Sequence, residues 1–179
     1  MPVSADFTGD RRAELAVYRG GAWWTYNLAN NQTNVVQFGI GTDKAVPADF
    51  DGDGKIDYAV YRDGLWHYLR SSDDGYRVVN FGLASDIPAV GDYDGDGKAD
   101  PAVYRAGVWY VSGSTQGFFA VQFGIASDIP TAADYDGDGK TDFAVFRDGV
   151  WHMLNSQTGV NTLQFGLSND KPVQAAFVQ

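Results

Sequence analysis

The chain of 179 residues contains no cysteine, few basic residues and no long apolar run. The absence of cysteine excludes disulfides and thiol chemistry. Its 13 Lys and Arg residues form no cluster, which disfavours a nucleic acid partner. No apolar stretch approaches the length of a transmembrane helix, so we expect no membrane insertion.

Residues typical of catalytic sites are equally scarce. The two histidines, His67 and His152, occupy equivalent positions of a repeat described below, so a joint acid-base role is disfavoured. No Gly-x-Ser-x-Gly elbow occurs, and no glycine-rich phosphate loop precedes a helix. We therefore expect that the chain is not an enzyme. No signal peptide is visible at Met1-Pro2-Val3-Ser4, so the residues themselves give no localisation.

Aspartate is abundant instead, and much of it lies in three copies of the pattern Asp-x-Asp-Gly-Asp-Gly-Lys-x-Asp. The copies span 49–57, 92–100 and 134–142, so their first residues are 43 and 42 positions apart. They hold 12 of the 23 acidic residues. Three bound divalent cations would bring the formal charge from −10 to about −4. Four carboxylates in one short loop repel each other unless a cation lies between them, so we predict calcium sites.

Each loop offers carboxylates at positions 1, 3, 5 and 9 and a backbone carbonyl at position 7, while a glycine at position 6 permits the sharp turn. An all-oxygen anionic set suits calcium, whereas zinc would require His or Cys. An EF-hand is rejected because its calcium loop needs Glu at position 12, where this chain has Val60, Val103 or Val145. The predicted ligands are Asp49, Asp51, Asp53, Lys55, Asp57, Asp92, Asp94, Asp96, Lys98, Asp100, Asp134, Asp136, Asp138, Lys140 and Asp142.

A fourth, eroded copy of the loop spans 6–14. Arg11 stands at position 6 in place of glycine, which adds positive charge and a less permissive backbone. We therefore expect weak or no occupancy. The vestigial ligand positions are Asp6, Thr8, Asp10, Arg12 and Glu14.

Aligning the loops shows that the whole chain is a tandem repeat of 42 to 43 residues. Phe-Gly recurs at 38–39, 81–82, 123–124 and 165–166, always ten residues before the position that opens a loop. Tryptophan recurs at Trp23, Trp66, Trp109 and Trp151, and arginine at Arg19, Arg62, Arg105 and Arg147. The identity of 14 of 18 positions between 92–109 and 134–151 fits recent duplication or deliberate design.

Each unit shows only strand and turn signals. Two β-rich runs flank Asp63-Gly64, a dipeptide typical of a type I′ hairpin, and 148–149 repeats it, whereas 106–107 is the weakest such signal. A third run ends at Phe-Gly, and the segment before each loop supplies a fourth. The strand after the turn is apolar on both faces, as expected of a sheet covered on both sides. We predict an all-β fold, a β-propeller of four tandem four-stranded blades plus one surplus strand.

The predicted blades cover 1–41, 44–84, 87–126 and 129–168, and the surplus strand covers 169–179, all within one propeller or half-propeller domain, 1–179. The surplus strand resembles the segment that opens the first unit. Three explanations stay open: a piece of a longer propeller, two copies that join into a larger ring, or a strand that displaces its twin. We favour a homodimer, because Val173 and Phe177 would lie beside an unpaired edge.

The order Phe-Gly, spacer, acidic loop, aromatic residue and Ala-Val resembles the FG-GAP repeat of integrin α-subunit propellers. It is more similar to bacterial FG-GAP-like (VCBS) repeats, although Val-Tyr-Arg at 60–62 and 103–105, or Val-Phe-Arg at 145–147, replaces Gly-Ala-Pro. The resemblance covers nearly the whole chain. It implies a calcium-binding propeller, extracellular or at the cell surface, that serves adhesion or ligand display without catalysis.

Two binding functions follow from these observations. The favoured one is a non-catalytic interaction scaffold with a protein ligand, in which the recurring Trp packs between blades and the recurring Arg caps a hairpin. The alternative is a propeller lectin that stacks a sugar on an exposed Trp and bridges its hydroxyls with Arg. The residues of that glycan site would be Arg62, Trp66, Arg105, Trp109, Arg147 and Trp151.

Overall fold

The fold is that of a computed structural model, which describes residues 1–173. Within those residues every regular element is a strand, and no helix is long and apolar enough to cross a membrane. The strands are β1 (Leu15–Arg19), β2 (Ala22–Asn27), β3 (Gln32–Gln37), β4 (Lys44–Ala45), β5 (Tyr58–Arg62), β6 (Leu65–Leu69), β7 (Tyr76–Asn80), β8 (Ile87–Pro88), β9 (Ala102–Arg105), β10 (Val108–Gly113), β11 (Gly117–Gln122), β12 (Ile129–Pro130), β13 (Phe143–Arg147), β14 (Val150–Asn155) and β15 (Gly159–Gln164).

The strands form four antiparallel sheets in chain order. Sheet 1 contains β1 to β3, sheet 2 contains β4 to β7, sheet 3 contains β8 to β11 and sheet 4 contains β12 to β15. In sheet 1 the predicted first strand is reduced to a bridge between Pro2 and Val17, supported by a 2.9 Å hydrogen bond from the Val3 N–H to the Ala16 carbonyl. The predicted fold class is confirmed: the chain is all-β, and its sheets are the blades of a β-propeller.

The chain divides into two compact units. The first unit, Met1–Ala84, contains sheets 1 and 2, and the second unit begins at Ser85 and contains sheets 3 and 4. Each unit is therefore a pair of consecutive repeats with its own core.

The first strand of each later sheet is shorter than the four residues predicted from its apolar run. It has two residues, such as Lys44–Ala45, and a separate bridge joins Ala48 to Asp57 further along. β8 and β12 end at the equivalent positions, Pro88 and Pro130, although no proline stands in the gap that follows them. The shortening is therefore common to the later sheets and does not depend on a proline in the gap.

The hairpin turns predicted between the two β-rich runs of each unit are confirmed. At Asp63-Gly64 the φ angles are 51° and 86°, the left-handed pair that a type I′ turn requires. Ala106, which was expected to be the weakest turn residue, adopts a φ of 50° as well. The second turn residue must also be small, since a Cβ on Gly64 would lie 2.6 Å from the Gly82 carbonyl oxygen.

The core of each unit forms where one sheet packs on the next. In the first unit Val60 of sheet 2 packs with Tyr18 and Trp23 of sheet 1. In the second unit Val145 of sheet 4 packs with Tyr104 and Trp109 of sheet 3. In each unit, the first repeat therefore buries its central tryptophan beneath the valine of the second repeat.

Little of the predicted surplus strand, 169–179, can be described. Residues 171–173 belong to no strand, and Val173 is exposed. Phe177, the other residue of the predicted unpaired edge, lies outside the described residues, as does the rest of 174–179.

The contact between sheets predicts a large difference between two valines of sheet 2. Val60 is 1% exposed, whereas Val78 of β7 is 47% exposed. We expect Val60→Ala to lower the free energy of unfolding by roughly 2 kcal/mol, through lost apolar burial and an added cavity. Val78→Ala, the matched control, should change it by no more than about 0.5 kcal/mol. Urea denaturation of both variants measures this, and equal changes would contradict the packing.

Candidate metal centre

Each acidic loop curls around its opening aspartate. In sheet 3 the Asp92 Oδ1 atom accepts a hydrogen bond from the Gly95 N–H at 2.6 Å, and Oδ2 accepts one from the Gly97 N–H at 2.8 Å. Asp49 and Asp134 accept the corresponding N–H groups of their own loops. Gly97 has a φ of 85°, a conformation that glycine adopts without strain. The loop is therefore shaped by backbone donors that converge on one carboxylate.

The last aspartate of each loop ties the loop to the rest of its sheet. Asp100 is buried; its Oδ2 accepts the Tyr93 N–H at 2.9 Å, and its Oδ1 accepts the Ser114 N–H at 2.7 Å. Ser114 lies in the turn between β10 and β11. Asp57 and Asp142 make the same pair of contacts in sheets 2 and 4. Position 9 is thus a structural anchor in all three intact loops.

The third-position aspartate keeps an oxygen free in two loops. Asp94 Oδ2 accepts the N–H groups of Thr115 and Gln116 at 2.8 and 3.0 Å. Its buried Oδ1 atom has no hydrogen-bond partner among residues 1–173, and neither does Asp136 Oδ1. A buried, charged oxygen without a donor is costly. A cation beside these two atoms would remove that cost, so the donor set fits a metal ion.

Three carboxylates in every loop lie close enough to share one ion. In each group, one oxygen from every member lies within 4.8 Å of the others. The fourth predicted carboxylate of each intact loop, Asp57, Asp100 or Asp138, is not part of its group. The backbone ligands predicted at Lys55, Lys98 and Lys140 stay a prediction. The groups are Asp49, Asp51 and Asp53; Asp92, Asp94 and Asp96; Asp134, Asp136 and Asp142; and Asp6, Asp10 and Glu14.

Burial raises the pKa of the anchoring carboxyls. Loss of solvation raises the pKa of Asp57 to about 7, opposed by its two backbone donors and reinforced by the negative charges of Asp51 and Asp49. The same causes raise the pKa of Asp100 to about 6, with Asp94 and Asp92 as the charged neighbours. The loops thus concentrate negative charge that their own residues leave uncompensated.

The eroded loop keeps its shape by other contacts. Arg11 takes the position of the glycine at a φ of 65°, and its N–H still donates to Asp6 Oδ2 at 2.6 Å. Glu14 is buried and accepts hydrogen bonds from the Thr8 hydroxyl and the Asn27 amide at 3.1 and 3.0 Å. The Asn27 amide supplies a neutral donor at a carboxylate of this loop. The expected weak occupancy stays a prediction.

Three of the four recurring tryptophans lie in the core, whereas Trp151 is only partly buried. Trp66 and Trp109 are each 0% exposed, and their Nε1–H groups donate to the carbonyls of Phe81 and Phe123 at 2.8 Å. A fully buried indole has no free face on which a sugar ring can stack. At Trp66 and Trp109 this geometry gives no support to the glycan hypothesis and agrees with the expected packing role, whereas at Trp151 the hypothesis stays a prediction.

Three of the four recurring arginines form clamps with an aspartate, a pairing that the sequence analysis did not predict. The Arg62 guanidinium donates two hydrogen bonds, at 2.6 and 2.7 Å, to Asp43, and Arg147 does the same to Asp128. Arg105 pairs likewise with Asp86. The three aspartate side chains are fully buried, while the arginines stay about one third exposed. A recurring Asp 19 residues before each Arg was the available signal.

Comparisons with known proteins show the fold and no family. No family model and no curated protein matches the chain. Among solved structures, a chain of the "Crystal Structure of Mitotic Checkpoint Complex" is similar, with a TM-score of 0.55 and 11% sequence identity. The match covers 92% of this chain and 49% of that one, so this chain spans about half its length. At this identity the similarity concerns the fold alone.

The clamps predict that Arg147 stabilises the fold. Burial alone would raise the pKa of Asp128, but the Arg147 guanidinium holds that pKa below its usual range. Arg147→Ala would leave that carboxylate buried and unpaired, so we expect the free energy of unfolding at neutral pH to fall by about 1.5–3 kcal/mol. Arg77→Ala, at an exposed arginine of β7, should stay within about 0.5 kcal/mol.

The effect of Arg147→Ala should depend on pH in one direction. A carboxyl with a lowered folded pKa contributes stability above its unfolded pKa and loses it as the pH falls through the folded value. The difference between the variant and the natural chain should therefore be full at neutral pH and shrink in acid. Urea titrations at several pH values measure it, and a difference that grows in acid would contradict the clamp.

Proposed function

We propose that the chain is a calcium-binding propeller module of the FG-GAP or VCBS kind that acts as a non-catalytic interaction scaffold. The observation that carries the proposal is the pair of buried, unpaired oxygens, Asp94 Oδ1 and Asp136 Oδ1, each within a group of three close carboxylates. Similar loops with such groups recur in all four repeats. Because a group of three close carboxylates recurs in every repeat, a shared ligand explains the groups better than chance does.

The chemistry of these groups favours calcium among the common cations. All described donors are oxygens, which suit calcium and magnesium better than zinc. The loops provide several carboxylates without a rigid octahedral cage, and calcium tolerates variable geometry whereas magnesium releases its waters reluctantly. The residues that would hold the ion are the three carboxylates of each group, joined by the carbonyl at position 7. The ion would supply the positive charge that the loop lacks.

A binding role fits how the chain uses its ionisable residues. The recurring aspartates shape the loops or form the clamps, and three of the four recurring arginines are held by buried carboxylates. A propeller fold is compatible with presenting a ligand surface. From the resemblance to FG-GAP repeats we propose an extracellular or cell-surface location and a protein partner. Calcium modules outside cells bind the ion with dissociation constants of about 10⁻⁴–10⁻³ M.

Calcium should bind the natural chain at about three sites and stabilise it, because an ion held by the folded state alone shifts the folding equilibrium by about 2.7 kcal/mol at a concentration of 100 times Kd. Isothermal titration calorimetry on the chelator-treated full chain gives the stoichiometry, and melting with calcium or chelator gives the stabilisation. No heat together with an unchanged melting midpoint would refute the proposal.

Two substitutions separate a metal ligand from a structural acid. Asp94→Asn removes a charge beside the unpaired oxygen, so it should remove about one calcium site while leaving the metal-free chain at least as stable. Asp63→Asn makes the same change in an exposed turn where Asn also tolerates positive φ, and should keep all sites. Equal calcium binding by both variants would show that the loop of sheet 3 holds no ion.

A further inference from the structure

Consecutive sheets within each unit meet through one repeated contact. Val60 of sheet 2 covers Trp23 of sheet 1, and the Tyr58 ring stacks on Phe7 with centroids 5.1 Å apart. In the second unit Val145 covers Trp109, and the Phe143 ring stacks on Tyr93 at 5.0 Å. We call the side of a sheet that carries the valine its leading face. The side that carries the tryptophan is its receiving face.

Sheet 1 has a leading face that is exposed in the described part of the chain. Leu15 and Val17 are the counterparts of Tyr58 and Val60, 43 residues earlier. Val17 is 42% exposed where Val60 is 1% exposed. Together with Pro2, Trp24 and Tyr26, these residues line an apolar groove. This face has the composition of an internal junction without its partner.

Sheet 4 has the complementary uncovered receiving face. Tyr135 is the counterpart of Tyr93, and it is 39% exposed where Tyr93 is 6% exposed. Phe165, the counterpart of the partly buried Phe123, is 71% exposed, and Leu163 beside it is exposed as well. Among the described residues nothing plays the part for sheet 4 that Val145 plays for sheet 3.

The two faces also carry the two halves of a clamp. Arg19 is the counterpart of Arg62 and Arg147, and Asp170 is the counterpart of Asp43 and Asp128. Arg19 lies over the Trp24 ring at 5.1 Å and pairs with no carboxylate within residues 1–173. Asp170 accepts the Leu167 N–H at 2.9 Å, as Asp128 accepts that of Ile125, but no arginine reaches it there. The charges of the two faces are therefore complementary.

A fourth feature of the junction is present in both halves. At internal junctions the side chain of Lys55 covers Gly9, and that of Lys140 covers Gly95, so that an added Cβ would meet it at 2.8 and 2.6 Å. At Gly137 of sheet 4 an added Cβ would meet no atom within 4 Å. The residue of sheet 1 at the position of these lysines is Arg12. A long cationic side chain is available to fill the open space.

We propose that a second copy of this chain docks on sheet 4 with its sheet 1, reproducing the contact that joins consecutive repeats. Leu15 and Val17 of one copy cover Tyr135 and Phe165 of the other, and Arg19 forms a clamp with Asp170. The contact joins two different faces, so it is heterologous. Two copies that make it in both directions form a closed dimer, and copies that do not close continue into longer assemblies.

Charge reversal tests the clamp without touching either core. The full natural chain is examined by analytical ultracentrifugation over a concentration series, with Arg19→Asp, Asp170→Arg and the double variant beside it. We expect the natural chain to self-associate. Each single reversal should weaken association about 10- to 100-fold, because it places like charges at the junction. The double variant restores opposite charges and should recover association to within about threefold.

Mixing the two single variants gives an independent check, since each then finds opposite charges on the other and should form mixed assemblies. Arg77→Asp, which makes the same charge change on exposed β7, is the matched control and should leave association unchanged. Melting curves of every variant confirm folding. A natural chain that is monomeric at all concentrations, single reversals without effect, or a double variant that fails to recover would each overturn the proposal.

Discussion

Within each unit, burial of one large aromatic side chain of the first repeat beneath the second repeat is the interaction on which the structure depends. A twisted four-stranded sheet of about 40 residues exposes two faces, and alone it buries too little apolar surface to offset chain entropy. Trp23 and Trp109 obtain full burial from Val60 and Val145 of the following sheets. Stability is therefore a property of neighbouring pairs, and in the described part of the chain the leading face of sheet 1 and the receiving face of sheet 4 are exposed.

Charge is handled by two different devices in the same repeat. The clamp carboxylates of Asp43, Asp86 and Asp128 are buried, and each meets a guanidinium with matching geometry. The anchoring carboxylates of the loops, such as Asp100, are buried against backbone N–H groups, which orient them but bring no net charge. One set is thus neutralised by the chain itself. The other is organised and left negative, the arrangement expected where an external cation completes the site.

The sequence predicted what depends on regular spacing and misjudged what depends on packing between repeats. The loops and the turns at Asp63-Gly64 follow from local chemistry within one copy. The four repeats follow from aligning those copies along the chain. The clamp between Asp128 and Arg147 joins two residues that look unremarkable apart and become a pair through the fold. The first strands were overestimated because an apolar run does not reveal how many of its residues pair with the neighbouring strand: in each later sheet only two do, besides one separate bridge.

Backbone hydrogen bonds link the acidic loops of the two sheets within each unit. The N–H of Thr141, in the loop of sheet 4, donates to the backbone carbonyl of Asp92, which opens the loop of sheet 3, at 2.6 Å. Ile56 and Asp6 make the same bond at 2.8 Å in the first unit. A cation that fixed Asp92 would also fix the acceptor of this bond. The donor, Thr141, lies just before β13, which carries the Val145 of the contact between sheets. Ion binding and the junction between repeats would therefore stabilise each other, since each restrains a segment that the other needs in place.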